Sequence, residues 1–226
     1  MSAFPASPRT AQKLVVPPGV DTAKLLMGDW WKEEDLPISW DRLLPGGPLC
    51  VEVGFGGGEF LLGLARLNPD SRFVGIECFG EGHRRLMKAV AEAGLTNAIS
   101  MVGDAYVVMN LAFHDASLTS LMVNFSDPWP KARHARNRLL SEEFLRIVAR
   151  KLAPCGKVYA ATDDVSYAEQ ASQVFSAQSE LESRHPGQPW LHQSPHPIQT
   201  RYERKWIAEG RPLHYFVFEK GQRHAL

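Results

Sequence analysis

From residue 49 onward the chain alternates short apolar runs with longer segments whose apolar residues recur at helical spacing. The runs "LCVEVGF", "RFVGIECF", "AISMVGDA", "SLMVNFSD" and "KVYAATDD" carry almost no polar alternation, as expected for strands buried on both faces of a parallel sheet. Between them lie "GEFLLGLARLNP", "GEGHRRLMKAVAEAG" and "LSEEFLRIVARKLAP", each stopped by Gly or Pro. Strand and helix in repeated alternation predict right-handed crossovers and a doubly wound, mostly parallel sheet with helices on both faces. A further helix at "YAEQASQVFSAQ", a Pro-rich loop, a helix near "TRYERKWIAEG" and a strand "LHYFVFEK" complete the pattern.

Residues 1–47 hold many prolines and no sustained period, which predicts an irregular extension with one short helix near Thr22–Leu26. Residues 48–226 then form the folded domain. Trp30, Trp31 and Trp40 are expected to pack the extension onto the core rather than to meet a ligand. The 226 residues, 44% of them hydrophobic, are enough for one sizeable core. With 25 basic and 25 acidic residues, any anionic partner has to be met by a local patch. Three cysteines, far apart and without CxxC spacing, argue against a disulfide framework or a zinc knot. Neither a signal pattern nor a membrane-length apolar run is visible, so a cytoplasmic protein without membrane contact is expected.

In open α/β sheets ligands sit beyond the carboxyl ends of the strands, which directs attention to "EVGFGGGEF", "GIECF", "GDAY", "NFSDPW" and "ATDD". Gly54, Gly56 and Gly58 permit positive φ and close approach of a ligand, a feature shared by many ordinary turns. A dinucleotide fingerprint would place Gly or Ala at position 59. The chain has Glu59, whose charge would repel a pyrophosphate at the helix start, and S-adenosylmethionine fits better. Glu77 is placed for the ribose hydroxyls and Asp104 for the adenine amine, with helix capping or loop ordering as the competing role. Glu52 is balanced between steadying the methionine ammonium and being a paired structural carboxylate.

The stretches "EVGFGGGEF", "VGIECF", "GDA", "SDPWPKARHARNRL", "ATDD" and "TRYE" together resemble the bacterial tRNA (guanine-N7-)-methyltransferase family, of the Rossmann-like class with a seven-stranded sheet. The resemblance implies S-adenosylmethionine as methyl donor and a guanine in the tRNA variable loop as acceptor; His192 and His196, in a loop broken by Pro195 and Pro197, do not make a zinc pair, so no metal is expected, nor an obligate protein partner. It implies cofactor contacts from Glu52, Gly54, Gly56, Glu77, Asp104 and Asp127, with Asp127 also at the catalytic position. Lys131, Asp163 and the stretch Thr200, Arg201, Tyr202 and Glu203 would face the tRNA, and the basic run itself adds Arg133 and Arg136 as candidates beside them. Two departures stand out: the family usually has Pro where Ser126 stands, and its basic run is denser than "RHARNR".

Guanine N7 carries a free lone pair, so alignment rather than proton removal should dominate the chemistry. Asp127 is the candidate for favouring the positive charge that develops on the purine, with Pro128 holding it extended. Trp129 is divided between stacking on a base and packing in the core. Lys131 and the arginines to Arg138 suit phosphate contacts, their alternative being a solvated basic segment. Thr200 and Glu203 also spell a capping box, and Asp163 competes with its neighbours to cap a helix. The rival functions are a methyltransferase of the same fold with a small-molecule or protein acceptor, and a non-catalytic RNA-binding relative. The cations behind Asp127 speak against the first, the retained acids against the second.

Overall fold

The computed structural model describes residues 36–44 and 46–222. The expected helix near Thr22–Leu26, and Trp30 and Trp31, lie outside the described residues. Seven strands form one sheet in the order β3-β2-β1-β4-β5-β7-β6. They are β1 (Leu49–Val53), β2 (Arg72–Glu77), β3 (Ala98–Val102), β4 (Leu118–Asn124), β5 (Leu152–Thr162), β6 (Leu181–Ser183) and β7 (His214–Lys220). β1 to β5 pair in parallel, while β7 runs antiparallel to both β5 and β6.

The helices are α1 (Trp40–Leu43), α2 (Glu59–Leu67), α3 (Gly80–Glu92), α4 (Ala105–Leu111), α5 (Glu142–Lys151), α6 (Val165–Ala177) and α7 (Arg201–Ala208). The chain winds from β1 outward to β3, crosses back to β4 and continues the other way. Right-handed crossovers therefore put α2 and α3 on one face and α4, α5 and α6 on the other. This reversal leaves a cleft between the carboxyl ends of β1 and β4, the switch point where doubly wound sheets take their ligands.

The apolar strands are buried as their pattern predicts: Val51, Val74, Leu121, Val158 and Phe216 have no exposed surface. Leu61 and Leu86 cover them from α2 and α3, and Phe144, Val148 and Phe175 from α5 and α6. Phe175 stacks on Phe218 with ring centroids 4.5 Å apart, joining α6 to the antiparallel end of the sheet. Trp40 packs as expected of it, stacked on Phe113 at 5.0 Å with its indole N–H donating to Ala112 O. Among the described residues no helix is long and apolar enough to cross a membrane.

Besides the four-residue α1, which falls in the stretch expected to be irregular, three elements were not foreseen, each for a local reason. In α4, "AYVVMNL" reads as one more apolar run, and only the Asp104 cap, accepting from Tyr106 N and Val107 N at 3.0 and 3.2 Å, marks it as helix. In β6 three residues with a single buried side chain, Leu181, give too short a pattern to read. The basic stretch Ala132–Asn137 is a 3-10 helix, a conformation with no apolar period to betray it.

The Gly-rich turn after β1 is seated by Phe55, whose ring lies over Gly75 in the middle of β2. A Cβ on Gly75 would sit 2.6 Å from Phe55 Cδ1 and 3.1 Å from Leu61 Cδ1. Gly75→Ala is therefore expected to cost about 1–3 kcal/mol of stability through overpacking, measured by urea unfolding. A change within about 0.5 kcal/mol would show that Phe55 moves aside at no cost.

Candidate active site

The turn Gly54–Gly58 leaves β1 with φ of 72°, 56° and 82° at Gly54, Gly56 and Gly58, a backbone that only glycine adopts without strain. A Cβ on Gly54 or Gly56 would meet nothing within 4 Å, so both open onto free space, whereas one on Gly58 would strike Leu86. The turn is pinned by the Glu77 carboxylate at the end of β2. Its Oε2 accepts from Gly56 N at 3.0 Å, and its Oε1 from Cys78 N and Phe79 N at 2.7 and 3.2 Å. Gly82 on α3 completes the seat, since a Cβ there would run into Gly56 O.

Beside the turn lies a cavity of about 190 Å³ lined by Glu52, the glycines, Phe60, Asn124 and, from across the opening, Thr200, Arg201 and Tyr202. Glu52 is only 2% exposed. Its Oε1 accepts from Asn124 Nδ2 at 3.1 Å, a bond from β4 to β1 across the switch point, while Oε2 is buried without a partner. Burial pushes the carboxyl up to about 8, against the Asn124 hydrogen bond and the Leu61 backbone N–H and with help from the nearby Glu59 and Glu77 charges. Glu59 folds back over the turn: a Cβ on Gly57 would lie 2.6 Å from Glu59 Oε2. Glu52 and Glu59 share this lining with Arg85 and Arg201, while Glu77 stands behind the glycine turn, so the cavity offers both acids and cations to a ligand.

The other predicted acids follow the sheet. Asp104, Glu77, Glu52, Asp127 and Asp163 stand at or just past the carboxyl ends of β3, β2, β1, β4 and β5, five neighbouring strands in spatial order. At about 4.8 Å per strand the row spans roughly 19 Å, the reach of a nucleoside joined to an amino acid. Asp104 uses Oδ1 to cap α4 and is exposed. Asp127 is exposed and accepts no hydrogen bond among the described residues. It does not line the cavity itself; Phe125, two residues earlier, does. Asp163 pairs with Arg211 at 3.5 Å, and capping of α6 falls to Asp164, which accepts from Tyr167 N at 2.7 Å.

Lys131, Arg133 and Arg136 are exposed on the 3-10 segment behind Asp127. Arg138 is not with them. It is buried, 4% exposed, and donates from Nε to Pro128 O at 2.7 Å and from Nη1 to Gln170 Oε1 at 2.7 Å. Trp129 sits edge-on to His134 at 5.9 Å. Thr200 and Glu203 form the capping box of α7, with Glu203 N donating to Thr200 Oγ1 at 3.0 Å and Thr200 N to Glu203 Oε2 at 3.2 Å. Glu203 is 2% exposed, and its Oε1 accepts from Tyr215 OH at 2.8 Å. Burial, joined by this carboxylate, raises the Tyr215 hydroxyl well above its ordinary value. From the four-residue stretch, Thr200, Arg201 and Tyr202 reach the cavity; Glu203 holds α7 in place behind them.

His192 is exposed, whereas the half-buried His196 lies against Phe60 and Tyr159, with ring centroids 5.2 and 4.4 Å away, and desolvation lowers it to about 4. Several site residues were not singled out from the sequence. Asn124 is one, although a lone polar residue ending "LMVN" was a usable signal. Phe79, 62% exposed where β2 opens toward the ligand end, is another, and Arg204 and Lys205 extend the cationic surface of α7.

Residues 46–216 match the methyltransferase family profile described as "Putative methyltransferase". A tRNA (guanine-N(7)-)-methyltransferase of Roseobacter denitrificans is 36% identical over 190 residues, covering 83% of this chain and 81% of the relative. One of Pseudomonas putida is 35% identical over 187 residues, covering 82% and 78%. Among solved structures, the 16S rRNA methyltransferase KamB superposes with a TM-score of 0.60 at 15% identity, over 81% of this chain and 93% of that one. At that identity the likeness is one of fold. The agreement over most of the length with relatives above 30% identity goes further: the chain belongs to the tRNA (guanine-N(7)-)-methyltransferase family.

Proposed function

We propose that this protein methylates N7 of a guanine in the variable loop of tRNA, with S-adenosylmethionine as donor and no metal. The observation that carries the reading is the buried, half-satisfied Glu52 carboxylate in a glycine-lined cradle, followed on the next strand by Asp127 and its cations. S-adenosylmethionine supplies an electrophilic methyl on a sulfonium and carries an ammonium. Its ammonium suits Glu52, whose Oε2 is buried without a partner among the described residues, and its carboxylate has Arg85 and Arg201 on the same lining. Gly54 and Gly56 leave the room that a Cβ would take. Glu77 would receive ribose hydroxyls only by sharing a carboxylate already holding three N–H donors and the Cys78 thiol at 3.3 Å. Asp104 keeps Oδ2 for the adenine amine while Oδ1 caps α4.

Guanine N7 needs no base to free its lone pair, so the protein's part is to hold the purine in line and to favour the charge it gains. Asp127, at the mouth of β4, would accept from the guanine N1 and N2 protons and offset that charge. Lys131, Arg133 and Arg136 would hold phosphates beside it, and Arg201 and Tyr202 the opposite rim. Asp163 would reach the substrate only alongside Arg211. Glu203 would act through α7, which it anchors. The setting is the cytoplasm, where tRNA is found, with no membrane contact and no obligate protein partner.

The decisive experiment incubates the protein with labelled S-adenosylmethionine and unmodified tRNA and maps N7-methylguanine. Label is expected at a single guanine, and cofactor binding without labelled tRNA would defeat the reading. Asp127→Ala is expected to lower kcat by about 100-fold with the thermal transition unchanged; near-normal turnover would remove Asp127 from the chemistry.

Lys131→Ala with Arg133→Ala should weaken tRNA binding and make log Kd less salt-dependent by about 1 for each phosphate no longer held. Cofactor affinity should stay unchanged. An unaltered slope would return both residues to plain solvated surface.

Glu52 gives a pH signature. Its carboxyl is held near 8 rather than 4.5, so between those values the folded protein keeps a proton that the unfolded chain has released. Stability without cofactor therefore falls as pH rises through that window, and Glu52→Gln should flatten the fall. Docking an ammonium against Glu52 should expel the proton. Calorimetry at pH 7 in buffers of different ionisation enthalpy should show release of about one proton on S-adenosylmethionine binding, absent in Glu52→Gln. Equal release in both proteins would place the ammonium elsewhere.

A further inference from the structure

We propose that Arg138 and Tyr167 are positioning residues for Asp127, an inference that rests on the role proposed for Asp127 in methyl transfer. The loop carrying Asp127 is not relaxed. Phe125 and Trp129, on either side of it, have φ of 52° and 44°, a region that side chains with a Cβ enter only when their surroundings impose it. Asp127 itself has no partner among the described residues, so its place is set through its neighbours.

Both neighbours are tied to α6. On one side Ser126 Oγ lies 3.1 Å from Tyr167 OH. That hydroxyl also accepts from Leu140 N at 2.9 Å, and either it or Ser126 can donate in the bond between them. On the other side Pro128 O accepts from Arg138 Nε at 2.7 Å. The remaining guanidinium donors go to Gln170 Oε1 at 2.7 Å and to Ser166 O and Oγ at 3.3 Å. The Arg138 guanidinium also lies 5.1 Å from the centre of the Tyr167 ring. Ser126, Pro128, Arg138 and Tyr167 thus make one closed frame with Asp127 projecting from it. The planar fork of arginine fits this set of acceptors as a lysine cannot. Ser126, where the resemblance expects Pro, takes part in the frame through a hydrogen bond that proline could not make.

The test uses the full chain and reads the single-turnover methyl-transfer rate per cofactor-binding molecule, beside the affinities for S-adenosylmethionine and tRNA. Tyr167→Phe, which removes only the hydroxyl, is expected to slow transfer about tenfold with both affinities within about twofold. Arg138→Lys should be slower still, and Arg138→Met slowest, if it folds. Adding Tyr167→Phe to Asp127→Ala should cost nothing more, because the frame acts through Asp127. A merely structural frame would lower the melting temperature and the fraction of competent molecules but leave the rate per competent molecule at the wild-type value; that result overturns the proposal. So does an additive double variant. If Asp127→Ala alone keeps the wild-type rate, the role of Asp127 falls and the inference with it. If Asp127→Ala is slow and Tyr167→Phe is not, only the inference falls.

Discussion

The hydrogen bond from Gly56 N to the Glu77 carboxylate is the constraint on which the site depends. It fixes a turn of left-handed glycines to the neighbouring strand, and two packing contacts lock it there: Phe55 over Gly75 and Gly56 O against Gly82. Neither contact tolerates a Cβ. The empty space beside Gly54 and Gly56 is therefore not slack in the packing but a shape maintained by close contact on the far side of the same turn. The position of Glu77 follows from the parallel register, which sets Glu52 beside Gly75 and Glu77 beside Val102.

Acids and cations meet at the cavity, where Glu52 and Glu59 share the lining with Arg85 and Arg201. Over β1 and β2 lie Glu52, Glu59 and Glu77, close enough that the last two help to keep the first protonated. Beyond β4 come Lys131, Arg133 and Arg136, all exposed. A chain with equal numbers of acidic and basic residues thus keeps an unmixed cationic segment beyond β4, where an anionic acceptor would have to approach. Asp127 stands at the edge of that segment. The burial of Glu52 adds selectivity: an unpaired buried carboxyl favours a ligand that brings its own cation and gives nothing to a neutral one.

The sheet was legible because its strands are buried on both faces, and short, continuous apolar runs set between helices are the mark of a parallel sheet. The row of acids was legible for a related reason, since the residue after such a run must lie at the ligand end. What could not be read was which polar atoms are already committed. Asp163 and Asp164 are adjacent in "TDD", yet the second caps α6 and the first pairs with Arg211. Thr200 and Glu203 carry a motif that is both a capping box and part of the expected substrate stretch, and spacing alone does not separate the two. The box is formed, Thr200 still borders the cavity, and Glu203 is sealed behind it by Tyr215.

Arg136 and Arg138 show the same limit most sharply. Two positions apart in one basic run, they are indistinguishable by charge, spacing or propensity. One is solvent-exposed on a 3-10 turn and the other is 4% exposed with four hydrogen bonds. A guanidinium can be buried only where enough acceptors converge. Here they come from Pro128 and from Ser166 and Gln170 on α6, which lie 28 and 32 residues further along the chain. No local pattern holds that information, because it exists only once α6 has folded back against the strand mouth. The basic run, thinner than the family's, is thus two things in space: a short cationic surface, and the anchor of the loop beside it.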